Sequence, residues 1–234
     1  MQSTRLPGKV LKDLVGKPML LHLLERLNNS SLINKLVVAT SAKTADDPIS
    51  DFCQPHGVSC YRGSEGDVLL RYYEAALQYG AELVVRICAD SPLVDASLVD
   101  SLLSDFLRTP ACDYLSNSIE QTYPLGTNVE IFKFAALEKA HFSATTRYER
   151  EHVTPYIYRN PHLFSLRAVH WKEPLGHLRL TVDIQEDFAV LEHIFRALDS
   201  TDGAFTIDKV VDYIRRNPSL MDINAKVSQT PIGH

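Results

Sequence analysis

Short apolar segments that resemble strands alternate with helix-like segments through the first half of the chain. The strand-like segments are rich in β-branched residues and comprise Lys35–Thr40, Val58–Tyr61 and Glu82–Cys88. The helix-like segments carry apolar residues at helical spacing and comprise Pro18–Asn28, Asp46–His56, Asp67–Tyr79 and Ala96–Leu107. This alternation predicts an α/β fold with a mostly parallel, doubly wound sheet and helices on both faces.

The second half of the chain departs from this rhythm. Its strand-like segments are Asp113–Ser116, Val129–Phe132, Phe164–Trp171, which alternates like an antiparallel strand, and Arg179–Asp183. Its helix-like segments are Phe134–His141, Tyr148–Tyr158, Glu186–Leu198 and Thr206–Arg216. No linker rich in Pro, Gly and Ser divides the sequence. We therefore expect a single domain over residues 1–234, with an antiparallel flap at roughly 117–178 that serves dimerisation or acceptor binding.

Composition excludes several classes of protein. The net charge of -5 disfavours broad nucleic-acid binding, so any phosphate site has to be local. No apolar run approaches the ~18 residues of a membrane helix, and the first residues lack a signal-peptide pattern, which predicts a cytoplasmic protein. The four cysteines form no CxxC pair and are expected to be reduced.

The first residues form a short basic loop, Ser3-Thr4-Arg5-Leu6-Pro7-Gly8-Lys9. Pro7 fixes one backbone angle and Gly8 tolerates a positive φ, so the backbone can turn tightly there. Arg5 offers a planar fork and Lys9 a compact charge for phosphate oxygens. The loop therefore suits a polyphosphate, although a solvated basic tail is the alternative. A strand normally feeds such a loop in a βα sheet, and we expect this first strand to be missing.

Two carboxylates follow predicted strands and are candidate ligands for a metal ion. Asp90 follows Glu82–Cys88, and Asp183 ends Arg179–Asp183. Ligands of open α/β sheets bind at the carboxyl ends of strands, and Mg²⁺ favours one or two carboxylates together with phosphate oxygens. The structural alternatives are that Asp90 caps a turn and that Glu186 and Asp187 stabilise the next helix through its dipole.

Further polar residues are candidate contacts for a nucleotide or its acceptor. The loop Gly63–Asp67 opens a helix and could approach a base or ribose through Ser64, with Asp67 as a simple helix cap as the alternative. Arg71 lies one turn into that helix. We assign these residues, together with Thr40, to a nucleotide site, and we assign acceptor contacts to Asn128, Glu130 and Arg150. The sequence contains no P-loop, dinucleotide fingerprint or GxSxG motif.

Several of these stretches resemble the cytidylyltransferases of the acylneuraminate and Kdo class, and in particular the subgroup named for spore coat polysaccharide biosynthesis protein F. The motifs that carry the resemblance include STRLPGK (3–9), VVATS (37–41), RGSEGDVLLRYYEAA (62–76), VVRICADSPLVD (84–95), REHVTPYIY (150–158) and LRLTVDIQED (178–187). They follow the order of the family over nearly the whole chain.

The resemblance implies a Rossmann-like nucleotidyltransferase fold and a homodimer. It implies attack by a sugar-acid hydroxyl on the α-phosphate of CTP, with release of pyrophosphate. Ser3, Arg5 and Lys9 would contact the triphosphate, and Asp90 and Asp183 would ligate Mg²⁺, which makes Arg5, Lys9 and Asp90 the expected catalytic residues.

Two other functions remain open at this point. The base contacts cannot be read from the sequence, so a nucleotidyltransferase with another nucleotide or acceptor is the first alternative. Leu125 stands where many relatives carry an acidic residue, which leaves the acceptor open. The second alternative is a catalytically impaired dimeric scaffold, and the missing first strand motivates it.

Overall fold

The computed structural model describes residues 5–198 and 205–227. The helices are α1 Met19–Asn28, α2 Asp47–Cys53, α3 Val68–Gln78, α4 Ala96–Leu107, α5 Phe134–Ser143, α6 Arg147–His152, α7 Pro155–Tyr158, α8 Gln185–Leu198 and α9 Ile207–Arg216. The strands are β1 Asp13–Leu14, β2 Lys17–Pro18, β3 Val37–Ser41, β4 Ser59–Gly63, β5 Leu83–Arg86, β6 Tyr114–Ser116, β7 Glu130–Lys133 and β8 Leu166–Ala168. Short 3-10 helices cover Lys9–Leu11, Thr44–Asp46 and Pro218–Ile223.

The prediction of an α/β fold is confirmed, but the prediction of a mostly parallel sheet is wrong. Strands β3 and β4 pair in parallel, and a separate sheet has the order β5-β7-β6-β8. In that sheet β7 is antiparallel to both neighbours, whereas β8 is parallel to β6. Apolar alternation identifies a strand but does not specify its direction, which depends on how the chain returns to the sheet.

The β3–β4 pair and the four-stranded sheet are not joined by strand pairing. In residues 5–198 and 205–227, β3 bonds only to β4 and β5 bonds only to β7. Residues of β3 and β5 such as Val38 and Val84 are accordingly only half-buried, although both strands carry mostly apolar side chains.

Helix α1 connects the two parts of the sheet through side-chain packing. Its Leu20 and Leu24 pack with Ile49 and Cys53 in a small cluster that also contacts Val38 of β3. Its Met19, Leu23 and Leu27 belong to the main core, which also contains Leu98 and Val99 of α4, Ile131 of β7 and Ile194 of α8. A third cluster packs α3 against α5 and α7 around Tyr114 and Phe132.

Three predicted elements differ from those observed. Arg179–Asp183 is not a strand, because its one β-bridge within the described residues is the isolated bridge between Leu125 and Arg179. Phe164–Trp171 contributes only the short parallel strand β8 and is not antiparallel. The predicted helix Tyr148–Tyr158 is broken at Val153, whose φ of 74° cannot continue a helix.

The second half of the chain is part of the same core. Residues 117–178 supply β7, which lies between β5 and β6, and β8 at the edge of that sheet. The assignment of this range to dimerisation or acceptor binding stays a prediction. Within the described ranges, every helix is too short or too polar to pass through a lipid bilayer.

Candidate active site

The basic loop folds as its Pro-Gly pair predicts. Gly8 has a φ of 70° and immediately precedes the 3-10 helix that Lys9 begins. The Lys9 amide donates to the Leu6 carbonyl, and the Lys12 amide donates to the Lys9 carbonyl. This tight turn directs the Lys9 side chain inward, where only 12% of it remains exposed.

The Lys9 ammonium joins the two carboxylates that the sequence places at strand ends. Its Nζ lies 3.0 Å from Asp90 Oδ2 and 3.0 Å from Asp183 Oδ1, and it also donates to the Val182 carbonyl at 2.5 Å. Burial alone lowers the pKa of Lys9, but the negative charges of Asp90 and Asp183 outweigh it and raise the pKa above its usual value. The ammonium is therefore firmly charged between two acids.

Two guanidinium groups add to the positive charge around Asp183. Arg5 Nη2 lies 3.3 Å and Arg179 Nη2 lies 2.9 Å from Asp183 Oδ2. Burial raises the pKa of Asp183, but the hydrogen bond and charge of Lys9, together with Arg179 and Arg5, lower it below its ordinary value. Asp183 is thus an ionised carboxylate that three cations surround.

Asp187 holds Arg179 in this position. Its buried carboxylate accepts from Arg179 Nε and Nη2, both at 2.9 Å, and from the Asp183 amide at 2.9 Å. Asn224 donates to the same carboxylate at 3.0 Å and also to the Arg179 carbonyl. Burial lowers the pKa of Arg179, but Asp187 and Asp183 raise it overall. The network fixes the backbone and the charge beside Asp183.

The residues present fit a divalent cation bound with a phosphate ligand. In the described part of the chain, no group of three or more His, Cys, Asp or Glu side chains could hold a metal ion by itself. Asp90 and Asp183 remain 29% and 25% exposed, and both reach a common cation in Lys9. Two carboxylates completed by phosphate oxygens and water are a ligand set typical of Mg²⁺.

The other candidate nucleotide residues in the described part of the chain lie on β3, in the loop after β4 and on α3. Thr40 donates to Asp46 at 2.9 Å and is buried, and Ser64 Oγ accepts from the Asp67 amide at 3.0 Å. Arg71 donates to the Ser64 carbonyl at 2.6 Å, while its Nε is buried with no hydrogen-bond partner. Ser3 lies outside the described residues. These assignments to a nucleotide site stay predictions.

The helix-cap alternative for Asp67 is confirmed, since Asp67 Oδ1 accepts from the Leu70 amide at 2.9 Å. The alternative that Asp90 caps a turn finds no support in its side-chain contact, which is with Lys9. The nearby cap is Asp95, whose side chain accepts from the Leu98 amide at the start of α4.

The candidate acceptor residues are engaged within the protein and do not form one cluster. Glu130 is buried and accepts from Arg86, from the Tyr114 hydroxyl at 2.7 Å and from Thr154 at 2.5 Å. Asn128 accepts from Gln121 at 3.4 Å.

Arg150 lies at a different place and contacts the Asp67 carboxylate and the His141 carbonyl. The assignment of Asn128, Glu130 and Arg150 to an acceptor stays a prediction.

Arg179 and Asp187 support Asp183 in a way that the sequence did not predict. Arg179 was expected in a strand, and Asp187 was expected to be one of two acids near a helix start. The available signal was the spacing of Arg179, Asp183 and Asp187 at intervals of four residues. That spacing does not show that Asp187 is buried while the adjacent Glu186 is exposed.

Comparison with known proteins identifies the family to which this chain is similar. A family model described as "Cytidylyltransferase" matches residues 1–213. An uncharacterised protein of Methanocaldococcus jannaschii is 39% identical, over 97% of this chain and 92% of that protein. The spore coat polysaccharide biosynthesis protein SpsF of Bacillus subtilis is 30% identical, over 93% of this chain and 92% of that protein.

Solved structures show the same fold. A cytidylyltransferase from Leptospira borgpetersenii superposes with a TM-score of 0.90 at 31% identity, covering 98% of this chain and 95% of that one. A CMP:2-keto-3-deoxy-manno-octonic acid synthetase complexed with CTP has a TM-score of 0.61 at 17% identity, covering 83% and 94% of the two chains. The latter similarity concerns the fold alone.

Proposed function

Because the chain belongs to the cytidylyltransferase family of nucleotidyltransferases, we propose that it transfers CMP from CTP to a sugar acid and releases pyrophosphate. The observation that carries the proposal is the cluster of Lys9 with Asp90 and Asp183, beside Arg5. This cluster combines fixed cations for a triphosphate with two carboxylates for Mg²⁺.

In the proposed reaction, the acceptor hydroxyl oxygen forms a bond to the α-phosphorus of CTP. The bond from that phosphorus to the bridging oxygen breaks, the electron pair leaves with pyrophosphate, and the hydroxyl proton passes to solvent water. Mg²⁺, held by Asp90 and Asp183, would supply charge neutralisation on the phosphate oxygens.

The protein's own residues contribute position and charge. Arg5 contacts Asp183 through Nη2 and is about half exposed, so the other N–H groups of its guanidinium can meet phosphate oxygens. Arg179, anchored by Asp187, keeps Asp183 ionised and in place. Catalysis by these residues is electrostatic, which is the dominant contribution in phosphoryl transfer.

The acceptor class rests on the names of relatives. SpsF of Bacillus subtilis is a spore coat polysaccharide biosynthesis protein, and a 3-deoxy-manno-octulosonate cytidylyltransferase of Geobacter sulfurreducens is 34% identical over 47% of this chain and 43% of that protein. These relatives support a sugar-acid acceptor for a surface polysaccharide. A homodimer and a cytoplasmic location stay predictions from the sequence.

Release of pyrophosphate from each of the four nucleoside triphosphates, with Mg²⁺ and a panel of sugar acids, tests the proposal. We expect turnover with CTP that requires both the metal and one sugar acid. A preference for a purine triphosphate or UTP would contradict the choice of CTP, and no pyrophosphate release with any pair would favour the scaffold alternative.

Two variants connect this activity to the cluster. Asp90→Asn should abolish turnover at every Mg²⁺ concentration while the thermal midpoint stays near that of the wild type. Lys12→Ala is the matched control, because Lys12 is a nearby lysine whose ammonium contacts Gln185 rather than the acids. If Asp90→Asn is as active as the active control Lys12→Ala, Asp90 has no part in the site.

A further inference from the structure

The ammonium of Lys9 has no hydrogen left for another ligand. An ammonium donates three hydrogen bonds, and Lys9 directs them to Asp90, to Asp183 and to the Val182 carbonyl. With 12% of the side chain exposed, it does not reach solvent as an ordinary surface lysine does. Lys9 therefore cannot bind a phosphate oxygen unless at least one of these bonds opens.

The same bonds occupy the carboxylates that would bind the metal. Asp90 Oδ2 and Asp183 Oδ1 both lie 3.0 Å from Nζ, so the ammonium stands between the two oxygens that would share a divalent ion. Asp183 Oδ2 is taken by Arg5 and Arg179. A divalent ion and three fixed cations around two carboxylates would repel one another strongly at these distances.

We propose that Lys9 keeps the divalent ion out of this site until a triphosphate binds and draws the lysine away from Asp90 and Asp183. The triphosphate then receives Lys9 and Arg5, and the carboxylates that they leave receive the ion. The inference rests on the proposed function and deepens it, since it makes metal binding at this site depend on the nucleotide. We call this coupled change the lysine–metal exchange.

The exchange couples binding of the metal ion to binding of the nucleotide. Free metal should bind weakly to the nucleotide-free protein, whereas metal should bind well together with a cytidine triphosphate. Reciprocally, the metal should strengthen nucleotide binding by the same factor, because coupling between two ligands is symmetric.

A titration of the nucleotide-free protein with Mn²⁺ tests the exchange without any turnover. Binding is measured as the loss of the free-ion signal in electron paramagnetic resonance. Lys9→Met removes the charge and keeps most of the stem, and we expect it to bind one Mn²⁺ at least tenfold more tightly than the wild type. Lys12→Met is the matched control and should bind Mn²⁺ as the wild type does. Equal affinity of the wild type and Lys9→Met would overturn the proposal.

Two further measurements locate the ion and allow for misfolding of the variant. The double variant Lys9→Met with Asp183→Asn should lose the gained affinity, and retention of the gain would overturn the proposal by placing the ion elsewhere. If Lys9→Met does not fold, the wild type is titrated with Mn²⁺ with and without a non-hydrolysable CTP analogue. The analogue alone also binds Mn²⁺, so it is titrated separately; we expect at least tenfold tighter Mn²⁺ binding by the protein and analogue together than by either alone, and no difference would overturn the proposal.

These results separate the exchange from the reaction. Pyrophosphate release by the wild type together with unchanged Mn²⁺ binding in Lys9→Met refutes the exchange and leaves the proposed function intact. A gain of Mn²⁺ binding in Lys9→Met without pyrophosphate release from any nucleotide supports the exchange and contradicts the proposed function.

Discussion

Replacement of Asp187 tests how strongly the network beside the candidate metal ligand supports the fold. Asp187 is 1% exposed and Arg179 is 8% exposed, so Asp187→Ala leaves a buried guanidinium without its main partner. Removal of one partner of a buried ion pair costs about 3–5 kcal/mol in the free energy of unfolding. Arg179 keeps its contact with Asp183, which places the expected loss near the lower end of that range.

Urea denaturation followed by circular dichroism measures this loss. A domain of this size has a free energy of unfolding of about 5–15 kcal/mol, so the change should move the midpoint clearly. Thermal denaturation gives a second measure of the same loss. Each kcal/mol shifts the thermal midpoint by about 2–4 °C in a chain of this length, so a loss of about 3 kcal/mol should lower the midpoint by about 6 °C or more.

Asp212→Ala is the control for loss of an ion pair at the surface. Asp212 lies 3.6 Å from Arg215 and is 58% exposed, and exposed pairs of this kind contribute about 0–1 kcal/mol. If Asp187→Ala lowers the free energy of unfolding by less than about 1 kcal/mol, Asp187 and Arg179 do not form this buried ion pair, because loss of a partner from such a pair lowers it by about 3–5 kcal/mol.

Two further predictions concern the backbone and the charge at the same site. Gly126 has a φ of 89°, and a Cβ there would lie 2.3 Å from the Thr181 amide nitrogen, so Gly126→Ala should destabilise the protein by well over about 1 kcal/mol in thermal melts. Gly57→Ala, with a positive φ but open space around it, should cost less, and equal costs would show that the close contact is unimportant. The folded pKa of Asp183 is lowered, so its contribution to stability is present above the unfolded pKa of about 3.9 and is lost as pH falls through the folded value. The difference in unfolding free energy between the wild type and Asp183→Asn should therefore be constant at neutral pH and shrink in acid, and a difference that persists to the lowest pH would contradict the ion pairs.

The proximity of Lys9, Asp90 and Asp183 was predictable from the sequence, whereas their role in binding a nucleotide and a metal ion stays a prediction. Lys9, Asp90 and Asp183 are separated by 81 and 93 residues along the chain, since Asp183 lies 174 residues from Lys9. Polar residues that follow strands or precede helices in an α/β fold converge at one edge of the sheet. Asp90 and Lys9 lie together as this rule predicts, although the predicted strand that ends at Asp183 does not form.

The burial of Asp187 and the direction of β7 were not predictable from local pattern. Glu186 and Asp187 are equally suited to the first turn of α8, and only the packing of Arg179 and Asn224 distinguishes them. Strand β7 has the apolar character of any buried strand, but its antiparallel pairing depends on the path of the chain before it. Both features arise from contacts between segments that are distant in the sequence.

The absence of strand pairing between β3 and β5 in the described ranges has a consequence for how the protein opens. Because the β3–β4 unit is attached through side chains of α1 and α3 rather than through a continuous ladder, we expect it to open as a cooperative unit of its own. Amide protons of β4 would then exchange with solvent through a partial opening, while those of β7, paired on both sides, would require global unfolding. Local motion of β3 would reach Thr40 without disturbing the acids that hold Lys9.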